Sequence, residues 1–198
     1  MAGYSGTVRR RERPPTVTVC YPGSFNPPTV AHLAVAGAAV RRLGQVRVDL
    51  VLSRNTLGKP VVEIPTFEDR VEVLERVAAS RPWLEVRVTE LRLLADIAEG
   101  YDALVMGADK WAQVLDPSWY GSEAARDHAL SRLPFVLVAP RAGERPEGVE
   151  ILDVAGVSEV SASAARAGAI EHMLPEARAF DVETGAWSDP ARYRSLRG

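Results

Sequence analysis

Short β-branched runs alternate along this chain with longer stretches of helical character, and no other feature narrows the fold as much. Thr16 to Tyr21 reads as a buried strand. Val46 to Leu52, Leu84 to Thr89, Asp102 to Met106 and Phe135 to Ala139 read as four more, with Ile151 to Val154 as a sixth. Thr29 to Leu43 is rich in Ala, Val and Leu with no internal proline, a helix that Gly44 ends. Thr66 caps the next helix, with Asp69 as its capping-box partner. Leu91 to Glu99 is a short helix, and Ser161 to Ile170 is a final one.

Strands separated by helices imply right-handed βαβ crossovers. The expected fold is therefore α/β, a single Rossmann-like, doubly wound parallel sheet of about five to six strands with helices on both faces. One domain from 16 to 183 suits a chain of 198 residues with 46% hydrophobic and 25% charged residues. Arg9, Arg10, Arg11 and Arg13 mark residues 1 to 15 as a disordered basic leader, and 184 to 198 reads as a weakly ordered tail. A net charge of −2 argues against wholesale nucleic-acid binding. No apolar run approaches the roughly 18 residues of a membrane span. The single cysteine, Cys20, suits a reducing cytoplasm, and three scattered histidines argue against a protein-built metal site.

Ligands of such sheets bind at the carboxyl ends of the strands where strand order reverses, which directs attention to the loops after the first and fourth strands. After the first, Gly23-Ser24-Phe25-Asn26-Pro27-Pro28 leads into Thr29-Val30-Ala31-His32. Gly23 lets the backbone pass close to a ligand, and the prolines stiffen the turn. Thr29 and His32 share one face of the first helical turn, where free amides and the helix dipole favour a phosphate. An imidazole there can donate to phosphoryl oxygens as charge builds on them; a capped helix with a half-buried histidine is the plainer alternative.

Ser161-Ala162-Ser163-Ala164-Ala165-Arg166 is the second informative segment. Ser161 or Ser163 can cap a helix, and Arg166 can clamp a pair of polyphosphate oxygens. Asp109, after the fourth strand in Gly107-Ala108-Asp109, can accept from ribose hydroxyls or cap the following helix. Lys59, in a long loop, can fold over a reacting phosphate as a point charge. Arg70 reads as a structural or peripheral charge.

The first segment resembles the [H/T]-x-G-H signature of the nucleotidylyltransferases, with Ala31 where that family usually has Gly. Ser161 to Arg166 resembles its I-S-S-T-x-x-R signature, with Ala162 replacing a serine. Gly107-Ala108-Asp109 followed by Trp119-Tyr120 resembles the nicotinate mononucleotide adenylyltransferases, as does Ser131-Arg132-Leu133-Pro134 leading into Phe135 to Arg141. That resemblance implies a tryptophan at 119 stacking on a pyridine ring, although a core or rim aromatic is equally open. Lys59-Pro60, Phe67 to Leu74 and Leu93 to Ala98 instead resemble segments of the pantetheine-phosphate adenylyltransferases. The R-T-x-G-I-S-T signature of cytidylyl transfer is absent before Ser161, and nothing matches the K-M-S-K-S of an aminoacyl-tRNA synthetase.

The resemblance implies transfer of AMP from ATP to the phosphate of a small acceptor, a nicotinate or nicotinamide mononucleotide first and 4′-phosphopantetheine second. A nucleotide-binding module without catalysis is the remaining alternative. It implies His32, Lys59 and Arg166 as catalytic residues. Gly23, Ser24, Phe25, Thr29, His32, Gly107, Asp109, Ser161, Ser163 and Arg166 would bind the nucleotide, and Ser24, Lys59 and Trp119 the acceptor. Mg²⁺ would be carried mainly by the ATP phosphates and water. Members of both families commonly associate, which leaves a homo-oligomer open.

Overall fold

The computed structural model describes residues 16–55, 62–141, 145–157 and 159–197. Residues 1–15, expected to form a disordered basic leader, and Lys59 lie outside the described residues.

Strands β1 (Val17–Pro22), β2 (Val46–Ser53), β3 (Leu84–Thr89), β4 (Ala103–Gly107), β5 (Phe135–Ala139) and β6 (Glu150–Ile151) form one sheet in the order β3-β2-β1-β4-β5-β6. Every pairing is parallel. Helices α1 (Val30–Leu43) and α2 (Phe67–Ala79) are followed by α3 (Leu94–Ile97), α4 (Ala108–Leu115) and α5 (Glu123–Ser131). Alternation along β1 divides the core between two faces. Val19 and Tyr21 pack with Val35, Ala39, Leu74 and Val77 of α1 and α2. Cys20 turns the other way, towards Ile97 and Val114 of α3 and α4. A Rossmann-like, doubly wound sheet results, with its order reversing between β1 and β4.

The C-terminal third departs from the sequence expectation. The helix expected over Ser161 to Ile170 is α6 (Ala162–Arg166) only, because Gly168 takes φ 115° and turns the chain. Two further helices follow, α7 (Pro175–Thr184), which starts on a proline, and α8 (Pro190–Arg197). The segment read as a weakly ordered tail is instead packed, with Trp187 and Tyr193 buried against Val73, Met173, Ala177 and Phe180. An arginine-rich composition hid it, since those two aromatics carry its apolar surface. Gly185 makes the turn between the helices at φ 74°, where a Cβ would lie 2.8 Å from the Asp189 carbonyl oxygen.

Asp69 is also placed differently. Thr66 Oγ1 accepts from the Asp69 amide at 3.2 Å, as a cap should. The Asp69 carboxylate, however, accepts from Arg197 at 2.6 Å and from the Tyr193 hydroxyl. The reciprocal capping box forms at α1 instead, and its second member is a histidine.

Candidate active site

The β1–α1 loop begins at Gly23, whose amide donates to the Val51 carbonyl at 3.1 Å. A Cβ on Gly23 would meet the Phe25 ring at 2.9 Å, so only glycine fits beneath it. Phe25 holds φ 43°, in the left-handed region that costs a non-glycine residue about 1 kcal/mol or more. Its ring is buried edge-on to Tyr21 at 5.6 Å and to His32 at 5.1 Å, which is the packing that fixes this backbone. The Asn26–Pro27 peptide is cis.

Thr29 caps α1, and its amide donates to His32 Nδ1 at 3.0 Å. Thr29 Oγ1 lies 2.8 Å from the same nitrogen. Accepting from a backbone amide requires Nδ1 to be unprotonated, so a neutral imidazole carries its proton on Nε2. The sequence already holds this constellation: Thr29 and His32 are the Ncap and N3 pair of a capping box, with imidazole in the usual place of Glu or Gln. Burial first, and then the Asp109 carboxylate, raise the Tyr21 hydroxyl well above its ordinary pKa and keep it protonated beside the ring.

The distal segment reaches this loop directly. Arg166 Nη1 donates to the Asn26 carbonyl, and Nη2 to Ser163 Oγ at 3.2 Å. Ser161, not Ser163, caps α6, accepting from the Ala164 amide at 3.0 Å. Further along, the Leu174 amide donates to the Pro28 carbonyl at 3.1 Å, and Thr29 and Met173 form an isolated antiparallel bridge. Because α6 is short, the side chains of Ser163 and Arg166 have more to offer an anion than its dipole.

Gly107 and Asp109 lie where β4 meets α4, across the switch point from that loop. Asp109 is not the cap: Gly107 occupies that position, and Asp109 sits in the first turn, 3.7 Å from Arg141. Beside them a cavity of about 110 Å³ is lined by Gly23, Ser24, Val51, Leu93, Ile97 and Trp119. Arg92 and Lys110 also line it, and among the described residues no carboxylate does. Ser24 and Trp119 therefore meet at one cavity. Thr29 and His32 pair at the far end of the same loop, Arg166 reaches that loop at Asn26, and His32 lines a second, apolar cavity with Phe25, Pro28 and Leu33. Among the described residues, no group of three or more His, Cys, Asp or Glu side chains could hold a metal ion.

Three residues hold the loop, among them Arg70, which reads in the sequence as a structural or peripheral charge and is structural, not peripheral. Arg70, buried on α2, donates through Nη1 to the Ser24 carbonyl at 3.1 Å, and its buried Nε has no hydrogen-bond partner among the described residues. Burial lowers its guanidinium pKa, with Glu68 opposing. Asn26 and Trp187 are joined by a buried hydrogen bond of 2.6 Å. An Arg-to-carbonyl or Trp-to-Asn contact across such sequence separations leaves no periodic trace.

The cytidylyltransferase-like family model matches residues 20–167, which span both the loop after β1 and Arg166. The chain belongs to the cytidylyltransferase-like family. Its activity class is nucleotidylyl transfer. It is 32% identical over 172 residues to a probable nicotinate-nucleotide adenylyltransferase of Anaeromyxobacter sp. (strain K), covering 78% of this chain and 87% of that one. With its Salinibacter ruber (strain DSM 13855 / M31) counterpart the identity is 28% over 191 residues, covering 82% and 92%. Plasmodium falciparum nicotinic acid mononucleotide adenylyltransferase complexed with NaAD superposes with a TM-score of 0.66 at 13% identity, over 87% of this chain and 97% of that chain. That likeness establishes the fold.

Proposed function

We propose that this nucleotidylyltransferase moves AMP from ATP to the phosphate of nicotinate mononucleotide. The observation that supports the reading is the hydrogen bond from Arg166 to the Asn26 carbonyl, which joins the Ser161–Arg166 segment to the loop whose Gly23 and Ser24 line the cavity with Trp119. The relatives' names favour a pyridine nucleotide over phosphopantetheine as acceptor. Arg92 and Lys110 on the cavity wall suit a phosphorylated, anionic acceptor, and Trp119 offers a face for a flat ring.

The acceptor phosphate is already an anionic nucleophile. One of its oxygens attacks the α-phosphorus in line, the bond to the bridging oxygen breaks, and pyrophosphate leaves with the electron pair. No general base is needed, so the chain's work is alignment and neutralisation of charge. His32 donates its Nε2 proton as a hydrogen bond to an α-phosphate oxygen, held in that tautomer by the Thr29 amide. Thr29 and Ser24 position phosphoryl groups. Gly23 and Phe25 admit the nucleotide to the loop, and Gly107 and Asp109 meet its ribose. Ser161, Ser163 and Arg166 hold the leaving pyrophosphate, and Lys59 serves the α-phosphate. Mg²⁺ carried by phosphates and water would add charge neutralisation without a protein cage. A cytoplasmic location belongs to the same reading, supported by the lone buried thiol of Cys20.

Pyrophosphate release, with ATP against CTP and with nicotinate mononucleotide, nicotinamide mononucleotide and phosphopantetheine as acceptors, tests it. ATP with nicotinate mononucleotide gives the highest kcat/KM; turnover with phosphopantetheine alone refutes the reading. His32→Ala lowers kcat by about 10²–10³ with an unchanged circular dichroism spectrum.

A further inference from the structure

Asn26 is gripped at both ends. Its backbone carbonyl accepts from Arg166, and its side-chain oxygen accepts from the Trp187 indole N–H at 2.6 Å, in surroundings that bury Asn26 to 8% and Trp187 to 3% exposure. Trp187 is itself anchored. Its amide donates to Asp181 Oδ1 at 2.6 Å, the Ser188 amide donates to the same oxygen at 3.0 Å, and Phe180 packs edge-on at 6.0 Å. The post that supports the nucleotide loop therefore lies beyond residues 20–167, the part of the chain that the family model matches.

We propose that Trp187 is a positioning residue for the transfer step, acting through Asn26 to fix the loop between Arg166 and His32. The inference rests on the function proposed above. Asn26 itself carries the Arg166 contact, and only Pro27 and Pro28 separate it from the Thr29–His32 cap, so its placement sets how a triphosphate held at Arg166 meets the imidazole. A reaction without a general base depends on that alignment, and a displacement of about 1 Å can cost roughly 10²-fold in rate. A tryptophan that merely filled the core would lower stability and leave the chemical step alone.

Trp187→Phe keeps a ring and removes the donor; Asn26→Leu removes the acceptor, and Asn26→Asp keeps an oxygen in its place. With kcat, KM and melting temperature measured for each, Trp187→Phe and Asn26→Leu are expected to lower kcat by about 10- to 100-fold with KM values within about threefold of wild type. Asn26→Asp retains more kcat than Asn26→Leu, and the Trp187→Phe/Asn26→Leu double variant equals Asn26→Leu alone. Tyr193→Phe, which alters the same C-terminal layer without touching Asn26, loses melting temperature but keeps kcat within about twofold. A folded Trp187→Phe with wild-type kcat, or effects that multiply in the double variant, overturns the proposal. Should Trp187→Phe not fold, equal kcat in Asn26→Leu and Asn26→Asp overturns it. A wild-type enzyme that turns over none of the acceptors overturns the functional reading, and this proposal with it.

Discussion

The Nδ1 nitrogen of His32 is occupied by the Thr29 amide, which leaves Nε2 as the nitrogen able to donate while the ring is neutral. The same physics of a fixed proton applies to Cys20, on the opposite side of β1. Burial, and then the charge of Asp49, push its thiol from 9.0 up to about 12. The folded state thus holds this proton more tightly than the unfolded chain, so its contribution to stability is complete below pH 9 and is lost as pH rises towards 12. The urea midpoint should fall across that window, and fall less steeply in Cys20→Ala; an equal decline in both would remove Cys20 from the account. In the native state at pH 8 the thiol should resist a thiol-specific reagent until denaturant is added. Gly23, Thr29 and His32 were legible in the sequence because each acts within one turn of chain. Arg70 reads there only as a structural or peripheral charge, since nothing near it in sequence announces that it will be buried against the Ser24 carbonyl.

Two helix caps separate stability from chemistry at the level of the element. Thr66 caps α2 through the Asp69 amide, and Thr29 caps α1 while also touching His32 Nδ1. Replacing either with alanine should cost about 1 kcal/mol in urea unfolding. Only Thr29→Ala should also reduce kcat, by about tenfold or more, because the imidazole loses a hydroxyl beside Nδ1. Equal kcat in the two variants would show that the Thr29 side chain matters only as a cap. Periodicity announced the long helices well. It overextended α6, where Gly168 intervenes, and passed over α7 and α8, whose buried residues are too few for a continuous apolar stripe.

Across the whole molecule, six parallel strands set β1 beside β4 and open the crevice at their carboxyl ends, as alternation and crossover handedness led one to expect. The C-terminal layer that braces this crevice was not foreseen, because its partners lie on distant α2 and on the β1–α1 loop. Deleting residues 185–198 removes Trp187 and Tyr193 from the core, each worth about 3–5 kcal/mol, against a total stability of about 5–15 kcal/mol for a domain. The shortened chain should melt far below the full one or fail to fold, whereas a dispensable tail would leave melting unchanged. The claim that joins residue, element and molecule is that the loop after β1 and the Arg166 segment hold one triphosphate with His32 at its α-phosphorus. A crystal structure with a non-hydrolysable ATP analogue and Mg²⁺ tests it directly. His32 Nε2 should lie about 2.7–3.2 Å from an α-phosphate oxygen, with the Arg166 guanidinium on the β- and γ-phosphates; a triphosphate bound away from either residue would refute that claim.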